Sequence, residues 1–245
     1  MNIVVLMAGG SDEFYKNGSQ YPKPLIEING VTMVELVINN IKDLNTKNNN
    51  LIFVIRKDDD RHYLGDSIKL LLPHANIVTV ESNVSGAAVT SLLAIEYIDE
   101  KIPILLLNGD QIININMNNV IKKFNSSDSD AGVLIFPSVH PRWSYVRLDD
   151  SNYVIESAEK KPISNYATAG VYYYKKASDY IKCTKKMILK GADTGGNYYI
   201  CPVFNEMILK QKKISTYAIK ASQYHSLMSP SQVNQYGLLT TGGGN

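Results

Sequence analysis

The chain opens Met1-Asn-Ile-Val-Val-Leu-Met-Ala-Gly-Gly-Ser11, an aliphatic run that ends in a Gly-rich loop. A run of this kind without polar alternation fits a strand covered on both faces, as in a parallel sheet. Glycines directly after it allow dihedrals that turn consecutive N–H groups toward one anion, with no Cβ in the way. Lys23 follows inside Pro22-Lys-Pro24, where the prolines restrict the backbone and would present one ammonium in a fixed direction. A glycine loop and a fixed lysine suit a polyphosphate. Ala8, Gly9, Gly10 and Ser11 are thus candidate phosphate contacts, and Lys23 a candidate catalytic cation.

Working outward, runs of the same kind recur at Leu51–Ile55, Ile77–Val80 and Ile104–Leu107. Between them Met33–Leu44, Tyr63–Leu72 and Ala87–Ile98 carry apolar residues at helical spacing. Alternating units of this kind predict a parallel sheet with helices on both faces. After Asn125 the pattern changes to strands at Ala131–Phe136, Ser144–Leu148, Tyr153–Ser157 and Ala167–Tyr174, which predict an antiparallel or mixed extension. Helices at Ala177–Lys190 and Tyr198–Gln211, a strand at Ile214–Ile219 and a helix near Gln232–Leu239 follow. Ligands of open α/β sheets sit beyond the carboxyl ends of the strands, so the loops after Leu6, Val80, Leu107 and Ser157 are expected to build the site.

No linker divides the 245 residues, so one domain over residues 1–240 is expected, with a flexible tail at 241–245. A net charge of only +2 gives no argument for nucleic acid or for an anionic membrane surface. No window approaches a membrane span, and the first residues read as a strand rather than a signal peptide. A cytoplasmic protein is expected, and Cys183 and Cys201 read as buried thiols of a reducing compartment.

Leu6-Met-Ala-Gly-Gly10, Pro22-Lys-Pro-Leu-Ile-Glu-Ile-Asn-Gly30 and Met33-Val-Glu35 resemble the amino-terminal signature of sugar-phosphate nucleotidyltransferases. The resemblance continues through Ser85–Ala94, Leu107-Asn-Gly-Asp110, Ala158-Glu-Lys-Lys-Pro162, Thr168–Tyr173 and Tyr199–Glu206, and is strongest to the capsule and surface-polysaccharide branch. It implies a single-domain, Rossmann-like α/β fold of the nucleotide-diphosphosugar transferase (GT-A-like) type, with a mainly parallel mixed sheet flanked by helices. It also implies joining of a nucleoside triphosphate to a sugar phosphate or other phosphorylated acceptor, with release of pyrophosphate.

Asp110 ends a buried run, where a carboxylate can hold Mg²⁺ against phosphate oxygens, and it matches the family's metal-binding aspartate. Glu81, Gly86 and Ala87 stand where the family contacts base and ribose, with Ser85 as an alternative helix N-cap. Glu159, Lys160, Lys161 and Gly170 correspond to the acceptor contacts, either lysine being able to pair with its phosphate. Trp143 and Tyr145 suit stacking on a ligand and core packing equally.

Two positions depart from the family. Glu13 stands where the glycine loop normally carries an Arg that grips the triphosphate, and Ser226 where many members carry a second metal carboxylate. These substitutions suit two rivals: a GT-A-type glycosyltransferase or nucleotide-sugar hydrolase, and a non-catalytic nucleotide-binding relative. The nucleobase, the acceptor and homo-oligomerisation are left open.

Overall fold

A computed structural model of the chain describes residues 1–44 and 48–241. The first half runs β1 (Asn2–Leu6), α1 (Asp12–Lys16), β2 (Glu27–Ile28), β3 (Val31–Thr32), α2 (Met33–Asn40), β4 (Asn50–Arg56), α3 (Lys57–Asp60), α4 (Leu64–Leu71), β5 (Asn76–Val80), α5 (Ala87–Leu92) and β6 (Ile104–Asn108). The second half runs β7 (Gln111–Ile113), α6 (Met117–Ser126), β8 (Ala131–Pro137), β9 (Ser144–Leu148), β10 (Val154–Glu159), β11 (Tyr166–Tyr174), α7 (Ala177–Leu189), α8 (Val203–Ile208), β12 (Ile214–Ala218), β13 (Tyr224–Ser226) and α9 (Pro230–Thr241).

The main sheet has the order β10-β9-β11-β6-β1-β4-β5, with β8 paired to β11 and β12 to β8. β1, β4, β5 and β6 are parallel neighbours, while β11 runs antiparallel to β6, β8 and β9, giving the mixed extension expected after Asn125. Alternation along the central strands divides the core in two. Ile3, Val5, Phe53, Leu105 and Leu107 pack on one face, and Val4, Leu6, Ile52, Val54 and Leu106 on the other. Because both faces are covered, these strands read as unbroken apolar runs.

Of the expected helices, α2 stops at Asn40 with a 3-10 turn at Lys42–Leu44. Two more, those at Ala87–Ile98 and Tyr198–Gln211, are also shorter than their apolar periods predict. The second starts at Val203 rather than Tyr198, because Pro202 disfavours helical geometry at Cys201 and serves as the N-cap. The first, α5, ends at Leu92 and gives way to a 3-10 turn at Ile95–Tyr97. Inside it the Thr90 and Ser91 hydroxyls donate to the Gly86 and Ala88 carbonyls, competing with the helical ladder. The unexpected helix α6 buries Met117, Val120 and Phe124 and is capped by Asn116, whose side chain accepts from the Asn119 amide.

The tail expected at 241–245 lies outside the described residues except for Thr241, which closes α9. Both cysteines are buried free thiols. Among the described residues no helix is long and apolar enough to cross a membrane.

Candidate active site

The four loops singled out by the strand pattern open onto one cleft of about 560 Å³. Ala8, Gly9 and Gly10 come from the loop after β1, Ser82 and Val84 from that after β5, Asn108 and Asp110 from the end of β6, and Glu159 and Lys160 from the end of β10.

Beside the cleft, Lys23 and Asp110 form an ion pair, Nζ to Oδ2 at 2.7 Å, with the side chains 6% and 19% exposed. A charge pair so far withdrawn from water depends on both partners, since either alone would be stranded. Ser11, expected to face a phosphate, is buried, and its Oγ accepts a 2.9 Å hydrogen bond from the Lys23 amide. Its role is to fasten the Pro-Lys-Pro segment to the glycine loop. A side chain on Gly9 would stand 3.1 Å from the Lys23 ammonium, so the loop passes directly over the pair.

On the nucleotide side the backbone expectations and the side-chain expectations part. Ala87 and Gly86 line the cleft, but Glu81 does not: it is exposed and pairs with Lys57 at 3.0 Å. Ser85 is not the cap of α5. Gly86 holds that position with φ of 94°, and the space its side chain would need is filled by the Tyr198 backbone, not left for a base. The Tyr198 amide donates to the Ser85 carbonyl and the Ala88 amide to the Tyr198 carbonyl, locking this loop to the segment before α8. Glu13 and Lys16 are exposed on α1 and outside the cleft lining.

Sequence reasoning passed over Arg56, which lines the cleft from the end of β4. The sequence shows it only as a cation closing an apolar run; that this run lies next to the glycine-loop strand is a fact of the fold. Beneath it Asp59 is 2% exposed; burial pushes its carboxyl up to about 6 against the opposing charges of Arg56 and Lys23. Asp58, Asp59 and Asp60 make up most of the short helix α3 and place negative charge in its first turn.

On the acceptor side Glu159 is half-buried, and the Ser144 hydroxyl donates to it; burial raises its carboxyl above the usual range. Lys160 turns into the cleft through a left-handed backbone (φ 53°) and donates to the Tyr199 hydroxyl at 2.9 Å, a bond that raises its pKa. Lys161 is exposed and off the cleft. Gly170 also lines the cleft, with φ of 61°, and a Cβ there would collide with the Asn108 and Gln111 side-chain amides. Trp143 forms part of the cleft wall, edge-on to Phe136 and Tyr224, with the Arg142 guanidinium 4.3 Å above its ring. Tyr145 is core: fully buried, it donates to the His140 carbonyl.

Ser226 supplies no carboxylate and donates to Gln232, while His225 sits by Asn114 and the Tyr236 ring in a neighbouring pocket. Among the described residues no three His, Cys, Asp or Glu side chains converge as a metal site. Asp110 alone, with phosphate oxygens and water, is still a donor set that Mg²⁺ accepts.

Residues 3–211 match the family described as nucleotidyl transferase. The bifunctional protein GlmU of Methanocaldococcus jannaschii is 29% identical over 191 residues, 76% of this chain; the chain spans only 43% of that relative's length. Of solved structures, the nucleoside-diphosphate-sugar pyrophosphorylase from Vibrio cholerae RC9 superposes with a TM-score of 0.84 at 23% identity, over 97% of this chain and all of the other. The inositol-1-phosphate CTP transferase from T. maritima does so at 0.75 and 15%, over 98% and 94%. At these identities the two structures bear on the fold.

Proposed function

The chain belongs to the nucleotidyl transferase family, and from that premise we propose that it joins a nucleoside triphosphate to a sugar phosphate or similar phosphate ester, releasing pyrophosphate, in the cytoplasm and for surface glycan synthesis. The observation that carries the reading is the Lys23–Asp110 pair: the glycine loop passes over it, and Asp110 lines the same cleft as Glu159, Lys160 and Gly170.

A phosphate oxygen of the acceptor attacks the α-phosphorus in line; the new O–P bond forms as the bond to the β-phosphate oxygen breaks, and that electron pair leaves with pyrophosphate. The attacking phosphate is already ionised, so no protein group has to take a proton. Lys160, with Glu159 beneath it, would hold the acceptor, and the Ala8–Gly10 amides the donor phosphates. Lys23 would stabilise charge gathering on the α-phosphoryl group, where a placed cation is worth most. Mg²⁺, held by Asp110 and phosphate oxygens, supplies charge neutralisation when bound.

The carboxylates Asp12 and Glu13 beside the glycine loop favour a second reading, in which a nucleotide sugar is the donor and a nucleoside diphosphate the product. One assay separates the two. The protein is incubated with Mg²⁺, each nucleoside triphosphate and a panel of sugar phosphates, and pyrophosphate is measured. Release that requires the acceptor supports transfer. Diphosphate release from a nucleotide sugar, with no pyrophosphate from any pair, replaces it by the second reading.

A further inference from the structure

A polyphosphate laid along Ala8–Gly10 needs positive charge beside it as well as backbone amides. The loop itself offers little. Asp12 and Glu13 follow the glycines on α1, Lys23 is assigned to the α-phosphoryl group rather than the outer phosphates, and Lys16 is exposed outside the cleft lining.

Arg56 stands at the end of β4, the parallel neighbour of β1, where Val54 is level with Leu6. Its guanidinium reaches the glycine loop: Nη1 lies 3.4 Å from the point that a side chain on Gly10 would occupy. Nη2 donates a long 3.4 Å bond to the Ser82 carbonyl, from the loop after β5. Nε is buried with no hydrogen-bond partner, and Arg56 forms no ion pair among the described residues. The group is half-buried and rooted in a central strand, yet most of its donors are unused. A guanidinium held this way presents a planar set of donors that matches phosphate geometry.

We propose that Arg56 supplies the guanidinium that binds the outer phosphates of the nucleoside triphosphate at the glycine-loop end of the cleft. The proposal rests on the transfer reading above and adds to it a binding residue from a different strand. The loop carboxylates then limit how far the phosphates extend along α1, so the triphosphate turns toward β4 and β5.

The test uses inorganic tripolyphosphate as the probe, titrated calorimetrically into the full chain with Mg²⁺. Arg56→Gln is expected to weaken binding on the order of 10- to 100-fold, the loss typical of a charge-assisted contact. In pyrophosphate-release assays it should raise the KM for the triphosphate and leave that for the acceptor unchanged. If Arg56→Gln does not melt cooperatively, Arg56→Lys carries the test: it keeps the charge, loses the paired donors and should bind about fivefold more weakly. Unchanged tripolyphosphate affinity in the folded variant overturns the proposal, as does absence of binding to the native chain. If pyrophosphate is still released in that case, the transfer reading stands without Arg56. Arg56-dependent binding with no turnover on any substrate pair has the opposite meaning: it supports the phosphate site and sinks the transfer reading.

Discussion

The two ends of the cleft are built differently. At the donor end much of the lining is glycine and alanine, Ala8, Gly9, Gly10, Gly86 and Ala87, which leaves backbone exposed, with Asp12 and Arg56 as its charged side chains. At the acceptor end it is mostly side chain: Glu159, Lys160, Trp143 and Tyr199. Backbone lining tolerates substitution in neighbouring side chains. Side-chain lining has no such tolerance. The acceptor end is therefore where single substitutions should act on binding most simply.

The largest effect is expected where the two ends meet. Lys23→Ala removes the partner of Asp110 and should cost about 2–3 kcal/mol in stability, somewhat less than for a fully buried pair because Asp110 keeps some exposure. Turnover should fall about 100-fold or more with the loss of a placed cation, measured as kcat at saturating substrates. Lys160→Ala comes next: the KM for the phosphorylated acceptor should rise roughly tenfold, while the triphosphate KM holds in steady-state kinetics. An equal rise in both would erase the distinction between the ends.

Asp59 gives the donor end a pH dependence. Its folded pKa, raised to about 6 by burial, lies above its ordinary value of 3.8. The stability linked to its protonated form is fully present below that ordinary value and is lost as pH rises through about 6. Asp59→Asn should therefore be more stable than the native chain by up to about 3 kcal/mol at pH 8, and the advantage should vanish near pH 4 in urea unfolding. The smallest effects belong to two residues that do not line the cleft. Glu81→Gln and Lys161→Ala should each leave both KM values within about twofold, as surface substitutions usually do.

The same contrast decides how much the sequence could reveal. The sheet was legible because β1, β4 and β6 are covered on both faces and so announce themselves as apolar runs, while the edge strand β5 is still rich in aliphatic residues. The short strands β2, β3, β7 and β13 have too few residues to show a period, and the asparagines around Met117 hid α6 behind a polar surface. Within the site, the positions of the loops were readable, but the directions of side chains were not. Ser11 turned inward to hold Lys23, Glu81 outward to Lys57, and only one of two adjacent lysines faces the cleft. That choice depends on the positive φ of Lys160, which no spacing rule supplies. Arg56 was missed for a related reason: its place beside Gly10 exists only once β4 lies next to β1.

The most direct test of this division is a pair of KM measurements made on two variants in one pyrophosphate-release assay. Arg56→Gln should raise the KM for the triphosphate alone, and Lys160→Ala that for the phosphorylated acceptor alone. If both variants shift the same KM, or neither shifts any, the cleft does not have a donor end at β4 and an acceptor end at β10.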